Sequence, residues 1–431
     1  MKLSLVLGAA FVLSPLIVLG DFLPYEYGSF TTTCTNNTLK LNFNGNINID
    51  KDSLISDSIE CIIIHSSKVN FQDGCFDRLP NLKHLEVQVT SLYRNNVFNN
   101  GNFTNIVELK VSCIEKDYVT DLMLNAIYPS LEYLDLSDNS IRIQNSFAYS
   151  FPNLTYLNLS MNAISSAENF YSLYNLKYLD LSYNKLGGFK WKGRNTLLSL
   201  MLDYNQITNI GNSYYNTINL DGLYNLVNLS VVGNTINNIS PYAFTDTVNL
   251  QILDLSRNSL TKLASSTFES MKYLKVLLAD NNQFDMIPSM SLNITTLSLN
   301  CNIITNITNS SLVNLPKLRK LSLEGNNIAY IMPDAFQSQI LLEELYLNDN
   351  HLSYLPVNWY KPMQNLRLLD VSGNKFSMLE FITQASDMPV TSLYVERNPL
   401  EFVQWSTFQT IPKNMTVYLN IGADRSVPLC K

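Results

Sequence analysis

The sequence predicts an α/β-type solenoid: a horseshoe of about 15 stacked repeats, with a parallel β-sheet on the concave face and an irregular, short-helical convex side. Three observations predict it. Aligned on itself, the 431-residue chain repeats at a spacing of mostly 24 residues. Twelve copies share apolar residues at positions 1, 4, 6 and 11 of an eleven-residue frame. The ninth position of that frame is Asn in all twelve.

The chain opens MKLSLVLGAAFVLSPLIVLG, which predicts a secretory signal peptide over residues 1–20. One Lys, an apolar run broken by Pro15 and small or short residues before Asp21 carry that reading. A spanning helix needs ~18–20 uninterrupted apolar residues, and no later run approaches that length. The C-terminal DRSVPLCK has no hydrophobic tail of the kind a lipid-anchor signal requires. The expected mature product is exported, soluble and extracellular. Its net charge of −7 becomes −8 when Lys2 leaves with the signal, which argues against nucleic acid and against anionic membrane as partners, and no direct membrane insertion is expected.

Residues 21–54 are read as an amino-terminal capping region, in which CTNNTLKLNFNGNINI (34–49) alternates apolar and polar residues as a lid strand should. The repeats occupy residues 55–412. Three worn copies come first, at IECIIIHSSKV (59–69), LKHLEVQVTSL (82–92) and IVELKVSCIEK (106–116). The regular copies run from LEYLDLSDNSI (131–141) through LTYLNLSMNAI (154–164) and LKYLDLSYNKL (176–186) to VTSLYVERNPL (390–400). Residues 413–431 close the chain with a second capping strand, NMTVYLNI (414–421), and a short tail.

Physical chemistry accounts for the frame. Positions 1, 4, 6 and 11 point into a shared core, while positions 2, 3, 5, 7 and 8 face outward around one short strand. One repeat cannot bury its own leucines, but a stack buries a continuous ribbon of them. The Asn turns inward and bonds loop backbone, so each lost rung leaves buried groups unpaired at about 1–3 kcal/mol. Fifteen strands at ~4.8 Å span on the order of 70 Å of arc.

The frame L-x-x-L-x-L-x-x-N-x-L resembles the leucine-rich repeat, over roughly residues 55–420. Phe or Tyr near position 19 (Phe244, Phe268, Phe336, Tyr360, Phe408) makes it similar to the typical 24-residue extracellular class seen in Toll-like receptor ectodomains. The resemblance implies disulfides at the amino-terminal cap, Cys34 with Cys61 and Cys75 with Cys113. At the other end NPL (398–400) is not followed by the family's usual cysteine cluster. Cys301 and Cys430 therefore read either as a buried thiol and a loose tail cysteine, or as leaving Cys430 to bond another chain in a disulfide-linked oligomer. The worn first repeats also resemble insect secreted leucine-rich immune proteins, although no heptads follow residue 400 where that family carries a coiled coil.

Ten N-x-S/T sites predict N-glycosylation: Asn36, Asn102, Asn153, Asn158, Asn228, Asn238, Asn293, Asn306, Asn309 and Asn414. None is a ladder Asn, because the residue two places on from each rung is an apolar core position. Asn158 at position 5 and Asn228 at position 3 point into the concave face. Either glycans partly cover that face, or tight packing leaves these two sites unmodified.

Two candidate binding surfaces stand out. Tyr133, Tyr156 and Tyr178 occupy position 3 of successive repeats, with Tyr183 and Tyr204 at position 8 nearby, an amphipathic patch of the kind found at protein interfaces. After residue 186 the period breaks, and GGFKWKGRN (187–195) sets Lys190, Trp191, Lys192 and Arg194 close together. A lengthened segment (206–225) follows. Broken periodicity marks loops that partners use, and a basic-aromatic loop suits an acidic ligand.

No catalytic constellation is present. Of three histidines (65, 84, 351) only His65 and His84 sit on adjacent strands, and no nucleophile elbow, zinc motif or phosphate loop occurs. The aspartates at position 5 (Asp135, Asp180, Asp254, Asp370) read as solvated strand residues. No metal or cofactor is expected. The sequence therefore points to a secreted, glycosylated protein that binds another protein, in innate immunity by analogy. A cell-adhesion or developmental receptor ectodomain, or an inhibitor of a foreign enzyme, is the alternative.

Overall fold

The computed structural model describes residues 37–430 apart from 51–53, 55, 73, 93–102, 117, 123–126, 144–146, 193, 212–215, 291–292, 380, 382–386, 401–410, 413 and 420–429. The chain forms two compact units, one ending at Gln206 and the other beginning at Ile207. That division falls within the stretch where the repeat period breaks.

In the first unit, parallel strands pair in chain order from Thr38–Asn42 through Cys61–Ser66, His84–Val89, Glu108–Cys113, Tyr133–Asp135, Tyr156–Asn158 and Tyr178–Asp180 to Ser199–Met201. The register advances one repeat per strand, so Leu109, Leu134, Leu157, Leu179 and Leu200 stand side by side. None of them is more than 2% exposed. Each contributes about 1.5–3 kcal/mol by leaving water. The second unit continues in the same manner from Asn228–Ser230 to Thr416–Tyr418, again with every neighbour parallel. The architecture is the expected parallel solenoid, with very little helix among the described residues.

Strands in the regular repeats are three residues long because the backbone turns at position 8. That residue has positive φ in all twelve copies, from 51° at Tyr204 to 66° at Gly233 and Gly325. Nine of the twelve are not glycine, although the left-handed region costs an ordinary residue about 1–2 kcal/mol. Hydrogen bonds hold it there. The N–H of Met161 donates to Ser182 O at 2.8 Å, and that of Cys301 to Glu324 O at 2.8 Å, each bridging to the next repeat.

The position-9 asparagines form the expected ladder, all between 2% and 9% exposed. Asn162 is representative. Its Nδ2 donates to Leu136 O of the preceding repeat at 2.9 Å, while its Oδ1 accepts the Ile141 N–H at 3.0 Å. A second row, not anticipated from the sequence, uses the residue just before position 1. Asn153, Asn175, Asn249 and Asn365 each donate to a carbonyl one repeat back, at 2.7, 3.0, 2.8 and 2.9 Å.

The convex side is packed with aromatic rings. Phe244, Phe268, Phe336 and Tyr360 are all buried, while Phe408 lies outside the described residues. In the first unit Phe103, Tyr128 and Phe151 stack in sequence at 4.9 and 5.2 Å. The lengthened segment forms local structure within the second unit. Thr217–Asn219 pairs with Asn209–Ile210, which pairs with Asn238–Ile239.

The cysteines correct two expectations. Cys61 is disulfide-bonded, and its expected partner Cys34 lies outside the described residues. Cys75 and Cys113 are buried thiols and do not bond each other. Cys113 closes its strand where its N–H donates to Asn139 Oδ1 at 2.8 Å. Cys75 sits on a turn after the strand Lys68–Phe71, beside Tyr128, in a different part of the repeat. At the other end Cys301 and Cys430 bond each other, with Cα atoms 5.4 Å apart. Cys430 is therefore neither loose nor a link to another chain.

Candidate functional site

The concave face of the first unit brings the position-3 tyrosines together. Tyr156 stands in register between Tyr133 and Tyr178. The rings of Tyr133 and Tyr156 stack at 4.2 Å with 7° between their planes, and Tyr178 continues the row at 6.1 Å. All three are half-buried. Burial, then the neighbouring Tyr156 and Asp135, raises the Tyr133 phenol far above its ordinary range, so it stays protonated. Stacked pairs of this kind contribute about 0.5–1.5 kcal/mol beyond area burial.

The row extends further than the sequence suggested. Glu108 is in register with Tyr133, and His84 with Glu108. His84 Nδ1 lies 2.9 Å from Glu108 Oε2. Position 3 of the worn repeats was the signal that would have found them. His65 is not part of this cluster: it is opposite Gln88, whereas His84 is opposite Cys61. Tyr183 and Tyr204 form a separate stacked pair at 4.4 Å on the position-8 turn, 51% and 36% exposed.

The position-5 aspartates are not simply solvated. Oδ1 of Asp135, Asp180, Asp254 and Asp370 accepts the N–H two residues on, at 2.8–2.9 Å. Each thereby shapes the turn toward position 8. Burial raises the carboxyls of Asp180 and Asp254, and carries that of Asp370 to about 6.

Asn158 shares this arrangement. Its Oδ1 accepts the N–H of Ser160 at 3.0 Å and its hydroxyl at 2.8 Å, half-buried beside the tyrosines. Asn228 is 6% exposed and its Oδ1 has no hydrogen-bond partner. Asn153, Asn238, Asn293, Asn306 and Asn414 are exposed, and Asn309 is half-buried. Asn36 and Asn102 lie outside the described residues.

The basic-aromatic loop is only partly a surface. Trp191 is 5% exposed, donates Nε1–H to Arg194 O at 3.0 Å and stacks on Phe189 at 6.2 Å, so it is core. Lys192 and Arg194 lie over the rings of Tyr171 and Tyr174 at 5.5 and 5.2 Å. Lys190 is exposed beside them. Lys192 and Arg194 rest on the chain's own aromatics, and the loop's one Trp is buried.

Comparison with known proteins agrees with the geometry. The family model described as "Leucine rich repeat" matches residues 129–186, 224–284 and 293–352. The human leucine-rich repeats and immunoglobulin-like domains protein 3 is 31% identical over 36% of this chain and 14% of its own length. Mouse Toll-like receptor 7 is 30% identical over 43% of this chain and 19% of its own length. The chain thus spans a minor part of each of these relatives. Among solved structures, the Drosophila Toll–Spätzle complex superposes with a TM-score of 0.59 at 19% identity, covering 88% of this chain and 60% of that one. The twelve-copy frame, the parallel solenoid and these matches together show a chain built of leucine-rich repeats, similar to Toll-like receptor ectodomains.

Proposed function

We propose that this chain is a secreted recognition protein that binds another protein through the concave face of its first unit, in an innate-immune setting. The carrying observation is the continuous half-buried row of Tyr133, Tyr156 and Tyr178, the first two stacked and the third tilted against them, flanked by the His84–Glu108 pair. Rigid aromatic side chains with a polar hydroxyl give contact area at low conformational cost, and such groups concentrate binding energy. A protein of the same fold, Drosophila Toll, is held in complex with Spätzle, a molecular hub in Drosophila development and innate immunity. The apolar leader of residues 1–20 supports export. The surface offers binding rather than catalysis.

The test compares wild type with Tyr156→Ala/Tyr178→Ala, both purified from a eukaryotic secretory host. Each is incubated with extracellular fluid of the source organism, and captured proteins are cross-linked and quantified. A partner held by wild type and lost by the double variant supports the reading. Identical capture by both proteins refutes it.

A further inference from the structure

We propose that the concave face of the four repeats between Leu318 and Leu400, in the second unit, docks a Lys- or Arg-rich segment of a partner protein. This seat is separate from the Tyr133–Tyr178 row and does not depend on it.

Charge is the first argument. Positions 3, 5, 7 and 8 of these repeats carry Glu324, Glu344, Asp349, Asp370 and Glu396 against Lys320 and Arg397, while at position 2 Arg319 and Arg367 both pair with Glu343. Lys320 and Arg397 show how the face holds a positive group. Both terminal nitrogens of Arg397 reach Asp349, at 2.5 and 3.0 Å, with Asp370 and Glu324 close enough to favour its charge. Lys320 Nζ lies 3.1 Å from Glu344 Oε2 and 5.0 Å from the Tyr346 ring.

An unsatisfied acceptor is the second, independent argument. Asn348 is 4% exposed and lies between two carboxylates. Its Nδ2 donates to Asp349 Oδ2 at 3.2 Å, and its amide also bonds the Glu324 carboxylate. Its Oδ1 has no partner. Native buried polar groups are nearly always bonded, and an orphaned oxygen within an acidic cluster asks for a donor. A guanidinium or ammonium supplies one. Tyr346, Tyr394 and Tyr418 line position 5 of the same face, the last two stacked at 4.4 Å. Such rings suit the aliphatic stems and charged heads of Lys and Arg.

The acids already crowd each other. Burial, then Asp349, Asp370 and Asp280, raises the Glu324 carboxyl to about 7, with only Asn348 opposing. Burial and Asp349 raise Asp370 to about 6, opposed by Ser372 and Arg397. A docked cation favours the charged forms of both, so acid weakens docking.

The test measures anisotropy of a fluorescein-labelled nona-arginine peptide with the full chain, at about 0.1 M salt where weak surface attraction is screened. The variant is Glu324→Gln/Asp370→Asn. It should fold, because Asn158 already makes the same bonds to Ser160 that Asp370 makes to Ser372. The control Glu269→Gln/Asp285→Asn removes two exposed acids elsewhere in the unit. Wild type should bind at pH about 7.5 and lose about fivefold at pH about 5.5. The variant should lose about tenfold at the higher pH, and the control less than about twofold. Tyr156→Ala/Tyr178→Ala should bind the peptide as wild type does, which separates this proposal from the preceding one. No binding by wild type, equal losses in variant and control, or indifference to pH each overturns it.

Discussion

Asp349 and Arg397 are joined over the top of Gly373, across two full turns of the solenoid. All three occupy position 8 of successive repeats, and the guanidinium meets both carboxylate oxygens, at 2.5 and 3.0 Å. A Cβ on Gly373 would lie 2.2 Å from Asp349 Oδ1 and 3.1 Å from Arg397 Nη1. The Cys301–Cys430 bond repeats the device over Gly325, where a Cβ would lie 2.3 Å from Cys430 Sγ. On this flank glycine serves two ends, since its φ is also positive, +65° and +66°.

Gly373→Ala should therefore destabilise the protein by about 1–3 kcal/mol, combining left-handed strain with the clash. Gly222→Ala is the reference, because nothing lies within 4 Å of the added Cβ and only its φ of +80° is strained. Urea unfolding of both variants checks this. Equal midpoints would show that the bridge does not need the space.

The disulfide gives a second expectation. Peptide mapping of protein from a secretory host, under non-reducing conditions, should recover Cys301 linked to Cys430, and the protein should run without disulfide-linked dimers. Because the closed loop spans 129 residues, Cys430→Ser should cost about 2–5 kcal/mol. A covalent dimer through Cys430 would contradict the structure directly.

Glycopeptide mapping of the same material should find Asn228 bare, since a residue 6% exposed within a strand has no room for a sugar. Asn153, Asn238, Asn293 and Asn306 are exposed and should be occupied. Occupancy at Asn158 decides how much of the tyrosine row stays open. Full modification of Asn228 would mean that the sheet packs differently around it.

Stability should depend on pH in an unusual direction. Burial raises Asp280 and Asp370 to about 6 and Glu324 to about 7, above their unfolded values. In that window the folded state binds more protons than the unfolded one. The contribution is complete below about pH 4 and is lost as pH rises through 6–7. The carboxyl of Glu343, held low by Arg319 and Arg367, works oppositely, but only below its unfolded value. The urea midpoint should thus be higher at pH about 5 than at pH about 7.5. Glu324→Gln should reduce the difference. A midpoint that rises with pH across this range would show that these carboxyls are not desolvated in solution.

What could be read from the sequence follows from periodicity. Apolar residues at positions 1, 4 and 6 and Asn at position 9 each repeat in a fixed frame, so their neighbours in space are known as soon as the strands are stacked. The same logic placed Tyr133, Tyr156 and Tyr178 side by side. It failed where a residue's environment is not its repeat-mate one turn away. Trp191 looked like a ligand-facing ring beside three cations, but in the shortened repeat it fills the core against Phe189. Asp180 and Asp254 looked solvated, yet each accepts its own turn's N–H and is half-buried.

The sequence by itself determined the fold, the ladder and the tyrosine row, because all three rest on contacts between equivalent positions of adjacent repeats. Only the tertiary structure decided which cysteines meet and which acids share a cation. Cys301 and Cys430 are 129 residues apart, and Asp349 and Arg397 are 48. Such pairs depend on how the chain's path brings distant backbone to one flank, and on which intervening residue lacks a side chain. A repeat spacing specifies its neighbours but does not record contacts made over them.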